Sequence, residues 1–277
     1  MSASNRSRRP AGGPLRAPVL VLVLLAATAG VASAQGADAV LQNFVLTGDY
    51  VLLIDGKEAK GAEIYLSERV PAYLIVADQL ASPALLLPRE GAVRSVSFMK
   101  LAKRGGTIDV LADAELAFEG RFQLQGETIG FSVGGTKAAL KPRPHLLGRQ
   151  DLSAMLGYSP EYRRSAAAYS PDAKAVSALK SIGKPVKVRV YFGSWCSFCK
   201  QYVPKLLKVA EQLEGSRVDF EFYGLPQGFA GEPMAERDDV SAVPTGIVYV
   251  GGKEVGRMRS QDWQRPEQSL RQMVFGT

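Results

Sequence analysis

The only two cysteines of this 277-residue chain, Cys196 and Cys199, are separated by Ser197 and Phe198. Two thiols at this spacing can close a disulfide and reopen it, and the thiolate form of either can attack a disulfide in another molecule. We therefore predict a redox-active dithiol in which Cys196 is the attacking thiol.

The elements around the pair support that interpretation. Residues 186–192 form a β-branched and aromatic run that is typical of a buried strand. From Cys199 to Leu213, apolar residues recur every three or four positions, which predicts an amphipathic helix. Cys196 would then open this helix, where unpaired backbone N–H groups and the positive end of the helix dipole favour a thiolate.

The residues flanking the dithiol resemble those of the thioredoxin superfamily, and the resemblance extends over residues 171–277. It rests on Trp195 before the first cysteine, Lys200 after the second, Pro204 within the helix, and the run Val243-Pro244-Thr245. The resemblance implies an α/β domain, a central mixed sheet flanked by helices, with Cys196 and Cys199 as catalytic residues and no organic cofactor or metal.

The same resemblance implies a substrate-binding surface. Val243 and Pro244 would form a cis-proline loop that faces the dithiol and pairs with the backbone of a bound polypeptide. Trp195 and Phe198 would supply an apolar rim, although Trp195 could equally serve only to pack the domain. We therefore expect a polypeptide substrate.

One position departs from the family pattern. Thioredoxins carry a buried Asp six residues before the first cysteine, and this chain has Val190 there. We predict that Glu221, on the next strand, relays protons to Cys199, with a water as the alternative. The dipeptide Ser197-Phe198 leaves the direction of electron flow open, and we favour reduction or isomerisation over oxidation.

Other uses of a cysteine pair fit the sequence less well. A structural zinc site needs about four ligands, and copper transfer would favour a nearby histidine. The single histidine, His145, lies in a proline-rich segment that predicts an exposed loop. A structural disulfide closing so short a loop would stabilise the fold little.

The amino terminus has the pattern of a secretory signal. Four arginines precede the apolar segment 19–32, and Ala32-Ser33-Ala34 fits the cleavage rule. We predict a signal peptide over 1–34, a mature chain that starts at Gln35, and a periplasmic or secreted protein. The alternative is an uncleaved, N-terminally membrane-anchored form.

Charge gives no indication of nucleic-acid binding. The whole chain has a formal net charge of +7, and without the four arginines of residues 1–34 thirty basic residues face twenty-seven acidic ones, a net charge of +3. A basic nucleic-acid surface needs a larger and clustered excess.

The rest of the chain divides into two predicted parts. Short alternating runs over residues 40–147 predict an all-β domain, a small sandwich or barrel. It carries no motif with evident chemistry, so we predict a docking or homodimerisation role. Residues 148–170 would be an exposed connector, and Ser159-Pro160 and Ser170-Pro171 are predicted helix starts.

Together these features predict an exported thiol–disulfide oxidoreductase. Its partners would be cysteine-containing envelope or secreted proteins and a thiol–disulfide electron donor or acceptor. The alternative is a non-catalytic binding or assembly protein of the envelope whose dithiol senses redox state.

Overall fold

A computed structural model describes residues 41–67, 69 and 71–276. The predicted signal peptide over 1–34, and with it the membrane-anchor alternative, lies outside the described residues. Within the described ranges, no helix is long and apolar enough to cross a membrane. These residues all belong to one compact unit.

The first half of the described chain consists of strands and one 3₁₀ helix, Phe98–Lys100. Alternating apolar residues, as in Ala72–Val76, form strands that bury one or both faces. In chain order the strands are β1 Phe44–Thr47, β2 Tyr50–Ile54, β3 Lys57–Glu58, β4 Glu63–Ser67, β5 Ala72–Val76, β6 Ala84–Leu87, β7 Ala92–Ser95, β8 Leu101–Arg104, β9 Thr107–Val110, β10 Ala117–Arg121, β11 Gln123–Gln125, β12 Thr128–Val133 and β13 Thr136–Pro142.

These strands form two antiparallel sheets. The eight-stranded sheet has the order β10-β7-β6-β5-β4-β1-β9-β8, and the five-stranded sheet has the order β11-β12-β13-β2-β3. Leu52 and Leu140 of the smaller sheet share a buried cluster with Ile75 and Leu86 of the larger one. A second cluster around Tyr65 buries the other face of the larger sheet.

The second half of the described chain alternates helices and strands around a third sheet. Its elements are β14 Gly148–Gln150, α1 Leu152–Gly157, α2 Pro160–Ala168, α3 Ala173–Lys180, β15 Val186–Phe192, α4 Ser197–Gln212, β16 Val218–Gly224, α5 Pro233–Arg237, β17 Thr245–Val250, β18 Lys253–Met258 and α6 Pro266–Phe275. The sheet order is β14-β16-β15-β17-β18. Only β15 and β16 pair in parallel within this sheet, so it is mixed, as the resemblance implied.

The core that supports the site lies between this sheet and α4. Val188 and Val190 point from β15 into the same buried cluster as Val203 and Leu207 of α4. The β-branched residues of β15 fill the pleated surface, and the helical spacing of α4 turns its apolar stripe onto it.

The segment predicted as an exposed connector is exposed only in part, because one of its faces is buried. Met155, Tyr162 and Ala166 are buried against the α4 core, because the last two lie one helical turn apart and face α4 together. The helix start predicted at Ser170 is also shifted. The carboxylate of Asp172 accepts from the backbone N–H of Ala175 at 2.8 Å and caps α3 instead.

Candidate active site

The two cysteines lie where β15 gives way to α4. The strand ends at Phe192, and Cys196 is the N-cap of the helix, with extended backbone angles. Its Sγ accepts a hydrogen bond from the backbone N–H of Cys199 over 3.4 Å. Both thiols are unbridged; Cys196 is half-buried and Cys199 is fully buried. Only the first sulfur is therefore open to a partner.

The environment of Cys199 disfavours its thiolate. Burial is the main cause that raises the pKa of this thiol, and the neighbouring charge of Cys196 raises it further. One group acts in the opposite direction: the backbone N–H of Gly193 donates to Sγ of Cys199 over 3.4 Å. Cys199 is thus a protonated, buried thiol with one fixed donor.

The predicted cis-proline loop faces the first cysteine. The Val243–Pro244 peptide bond is cis, and the thiol of Cys196 donates to the carbonyl oxygen of Val243 over 3.7 Å. Both loop residues are half-buried. A backbone carbonyl beside the accessible sulfur is the kind of group that an extended peptide can pair with.

Trp195 and Phe198 occupy different environments. The indole N–H of Trp195 donates to the carbonyl of Leu225 at 2.9 Å, and its ring lies so close to Gly193 that a Cβ there would be 2.5 Å from it. Phe198 is 62% exposed and stacks on Tyr202 with ring centroids 6.1 Å apart. Trp195 is held by the fold, whereas Phe198 presents an apolar surface beside the dithiol.

The structure does not bring Glu221 to the cysteines. Successive residues of a strand face opposite sides of the sheet, and Phe222 lies in the same core cluster as Cys199. Glu221 therefore points to the other face, where Arg149 and Arg189 bind its two carboxylate oxygens. Hydrogen bonds and charges from these arginines outweigh burial and lower its pKa. Its predicted relay role is replaced by a structural ion-pair network.

Two polar residues near the dithiol had no signal in the sequence. The buried hydroxyl of Ser194 accepts from the backbone N–H of Leu146 at 3.1 Å and lies 3.3 Å from Nδ1 of His145, which is exposed as predicted. Tyr162 of α2 is 1% exposed, and its hydroxyl has no hydrogen-bond partner among the described residues. Both belong to contacts between segments far apart in the chain.

No metal-binding arrangement is found in the part of the chain that the structure covers. Within residues 41–67, 69 and 71–276, no three His, Cys, Asp or Glu side chains are placed to hold an ion.

The chain was also compared with solved structures. The matches include a protein of unknown function from Pseudomonas aeruginosa, with a TM-score of 0.38, 14% identity, and coverage of 47% of this chain and 93% of that protein. Thioredoxin f from spinach chloroplast gives a TM-score of 0.27 and 20% identity over 38% of this chain and 90% of its own. Fasciola hepatica thioredoxin gives a TM-score of 0.26 and 24% identity over 35% of this chain and 86% of its own. No family model matches the chain.

Two relatives found by sequence share more identity with the chain than these structures do. Thioredoxin-2 of Saccharomyces cerevisiae is 42% identical over 82 residues, which are 30% of this chain and 73% of the relative. Thioredoxin-1 of the same yeast is 32% identical over 68 residues, 24% of this chain and 61% of its own length. The chain therefore belongs to the thioredoxin family.

Proposed function

We propose that this protein is a thiol–disulfide oxidoreductase that acts through Cys196 and Cys199. The observation that carries the proposal is the unequal exposure of the two sulfurs: Cys196 is half-buried at the start of α4, and Cys199 is fully buried beneath it. One sulfur can meet a substrate while the other is reserved for a reaction within the protein. The thioredoxin relatives support the same chemistry.

In the first step, the Cys196 thiolate attacks a sulfur of the substrate disulfide. A bond forms between Sγ of Cys196 and that sulfur, and the other substrate sulfur leaves as a thiolate that takes up a proton. The position of Cys196 at the start of α4 favours its thiolate, because the first N–H groups of the helix are unpaired there.

In the second step, Cys199 resolves the mixed disulfide. Its sulfur attacks Sγ of Cys196, the intramolecular disulfide forms, and the second substrate sulfur leaves and takes up a proton in place of the one that Cys199 has lost. The substrate gains two electrons and the protein loses them. The reverse sequence oxidises a dithiol substrate, so the direction depends on the potential of the pair.

We propose that the substrate is a polypeptide. Phe198 offers an exposed aromatic face beside the dithiol, and the carbonyl of Val243 lies near Sγ of Cys196, where a bound backbone N–H could pair with it. Pro244 shapes that loop. Trp195 contributes the half-buried edge of the same surface.

The cellular setting is part of the proposal. The arginine-rich and apolar pattern of residues 1–34 supports export, and cysteine-containing envelope or secreted proteins would be the substrates. We favour reduction or isomerisation, with a thiol–disulfide donor renewing the dithiol. The β-rich segment 40–147 would serve docking or homodimerisation.

The direct test is turnover of a protein disulfide supplied with an external reductant, using the wild type, Cys196→Ser and Cys199→Ser. We expect turnover by the wild type and none by Cys196→Ser. A Cys196→Ser protein that keeps full turnover would refute the proposed enzymatic function. It would favour the alternative, a binding or assembly protein with a redox-sensing dithiol.

The direction of electron flow is tested by equilibrating the pair in thiol redox buffers. We expect a reduction potential of about −270 mV, the value of a reducing thioredoxin. A potential of about −120 mV would instead indicate a disulfide-forming oxidase.

A further inference from the structure

We propose that the buried hydroxyl of Tyr162, on α2, is the hydrogen-bond donor that stabilises the Cys199 thiolate in the second step. The inference rests on the proposed function and adds a residue from outside the segment that resembles thioredoxin. It assigns a role in the site to a helix that the sequence predicted to be part of a spacer.

The first observation is an unsatisfied polar group in the core. Tyr162 is 1% exposed, and its hydroxyl has no hydrogen-bond partner among the residues that the structure describes. Burying a hydroxyl without a partner costs free energy, and a phenylalanine of the same shape would avoid that cost. A buried hydroxyl without a partner can still donate a hydrogen bond to a charge that exists only during the reaction.

The second observation is the packing of Tyr162 and its electrostatic coupling to Cys199. Helix α2 packs directly against α4, and Tyr162 and Cys199 belong to the same buried cluster. Burial is the main cause that raises the pKa of Tyr162, and the charge of Cys199 is the strongest of the charges that raise it further. The phenol therefore keeps its proton, so it can donate a hydrogen bond but cannot act as a base.

The third observation is what Cys199 lacks. Val190 occupies the position where thioredoxins carry a buried carboxylate, and Glu221 points to the opposite face of the sheet. The one donor to Sγ of Cys199 among the described residues is the backbone N–H of Gly193, at 3.4 Å. A low dielectric penalises the charge of a buried thiolate, so a second donor would make this thiolate easier to form.

These observations give Tyr162 a defined part in the second step. Cys199 first loses its proton to water, its thiolate then forms the bond to Sγ of Cys196, and the substrate thiolate that this displaces takes up a proton. Tyr162 neither gains nor loses a proton. Its O–H dipole lowers the energy of the Cys199 thiolate before that thiolate attacks.

The test separates the two steps with a coloured aromatic disulfide that releases one coloured thiolate in each. The first release reports attack by Cys196 and the second reports attack by Cys199. For Tyr162→Phe we expect an unchanged first phase and a second phase slowed about tenfold, the effect of losing one hydrogen bond to a charged group. The pH profile of that second phase should move about one unit upward.

Tyr169→Phe is the matched control. The hydroxyl of Tyr169, at the end of α2, donates to the buried carboxylate of Glu267 on α6 at 2.8 Å, so its partner is not Cys199. This variant should unfold at lower denaturant concentration and keep both phases. Tyr162→Phe should be at least as stable as the wild type, because it removes an unpaired buried hydroxyl.

A second phase in Tyr162→Phe that matches the wild type in rate and pH profile would overturn the inference and leave the proposed function intact. A loss of rate that is equal at every pH would also overturn it, since a packing defect does not shift a profile. If Tyr162→Phe does not fold, Tyr162→Met provides the same comparison. A wild type without a Cys196-dependent first phase would instead refute the proposed function.

Discussion

The backbone N–H of Gly193 donates a hydrogen bond to the buried sulfur of Cys199 over 3.4 Å. The contact joins the end of β15 to the first turn of α4 and places the second thiol directly behind the first. It also partly offsets the burial that raises the pKa of Cys199. The rate of the second step should therefore depend on how far this thiol can ionise.

We predict that resolution of the mixed disulfide accelerates continuously with pH. Because the pKa of Cys199 is raised, its thiolate fraction still increases above neutral pH. The second phase of the coloured-disulfide reaction measures this directly. A second phase that is already constant at neutral pH would contradict the prediction, and Cys199→Ser should show no second phase at any pH.

Gly193→Ala should destabilise the protein. A Cβ at this position would lie 2.5 Å from the indole ring of Trp195, so the ring or the strand end must move, at a cost of about 1–3 kcal/mol. Urea unfolding measures the change. Gly183→Ala is the control, because a Cβ there meets no atom within 4 Å, and it should not lower the free energy of unfolding. Equal effects in the two variants would contradict the account.

Phe198→Ala should weaken substrate binding without unfolding the protein. The side chain is 62% exposed, so its removal changes stability by no more than about 0.5 kcal/mol. Loss of an aromatic contact of about 1 kcal/mol would raise KM for a protein disulfide about fivefold.

The reaction of Phe198→Ala with a small disulfide should be unchanged, because that substrate does not reach the ring. Phe118→Ala, on β10, removes a ring that is also 62% exposed and should alter neither reaction. An unchanged KM for Phe198→Ala would exclude Phe198 from the substrate surface.

Asp238 should make the fold sensitive to acid. Burial opposes its ionisation, but hydrogen bonds from Arg237, Tyr191 and Arg189 prevail and lower its pKa. Ionised Asp238 therefore stabilises the folded state above about pH 4, where the unfolded carboxyl is charged, and this contribution is lost as pH falls towards the folded pKa.

Asp238→Asn should lower the free energy of unfolding at neutral pH by about 1.5–3 kcal/mol. Its stability should also fall less steeply between neutral and acidic pH than that of the wild type. Urea unfolding across that range provides the measurement. The exposed Asp219 of β16 is the control, and Asp219→Asn should change the free energy of unfolding at neutral pH by no more than about 0.5 kcal/mol. An Asp238→Asn protein with wild-type stability and pH dependence would show that the hydrogen bonds to Asp238 do not stabilise the fold.

Local sequence signals were sufficient to predict the elements that support the two cysteines. The β-branched run before Cys196 and the apolar spacing after Cys199 depend only on near neighbours, and strand β15 and helix α4 lie where those patterns placed them. Strands β2 and β5 likewise lie within the segment 40–147, whose alternating apolar runs predict strands.

Features that depend on distant segments were missed. The start of α3 was misplaced because Ser170 and Asp172 are both good caps, and tertiary contacts decide between them. Glu221 was assigned to the right strand, but the predicted relay overlooked that it and Phe222 must face opposite sides of the sheet. Tyr162 could not be found at all, since only the packing of α2 on α4 brings it near the dithiol.

The most direct test of the central claim is the intact mass of Cys199→Ser and Cys196→Ser after brief exposure to the disulfide of a small thiol. The account predicts that Cys199→Ser gains one thiol adduct at Cys196, because the half-buried sulfur attacks and the second step cannot follow. It predicts no adduct on Cys196→Ser, because Cys199 is fully buried and protonated. Adducts on both variants at equal rates, or on Cys196→Ser alone, would contradict the assignment of Cys196 as the attacking thiol.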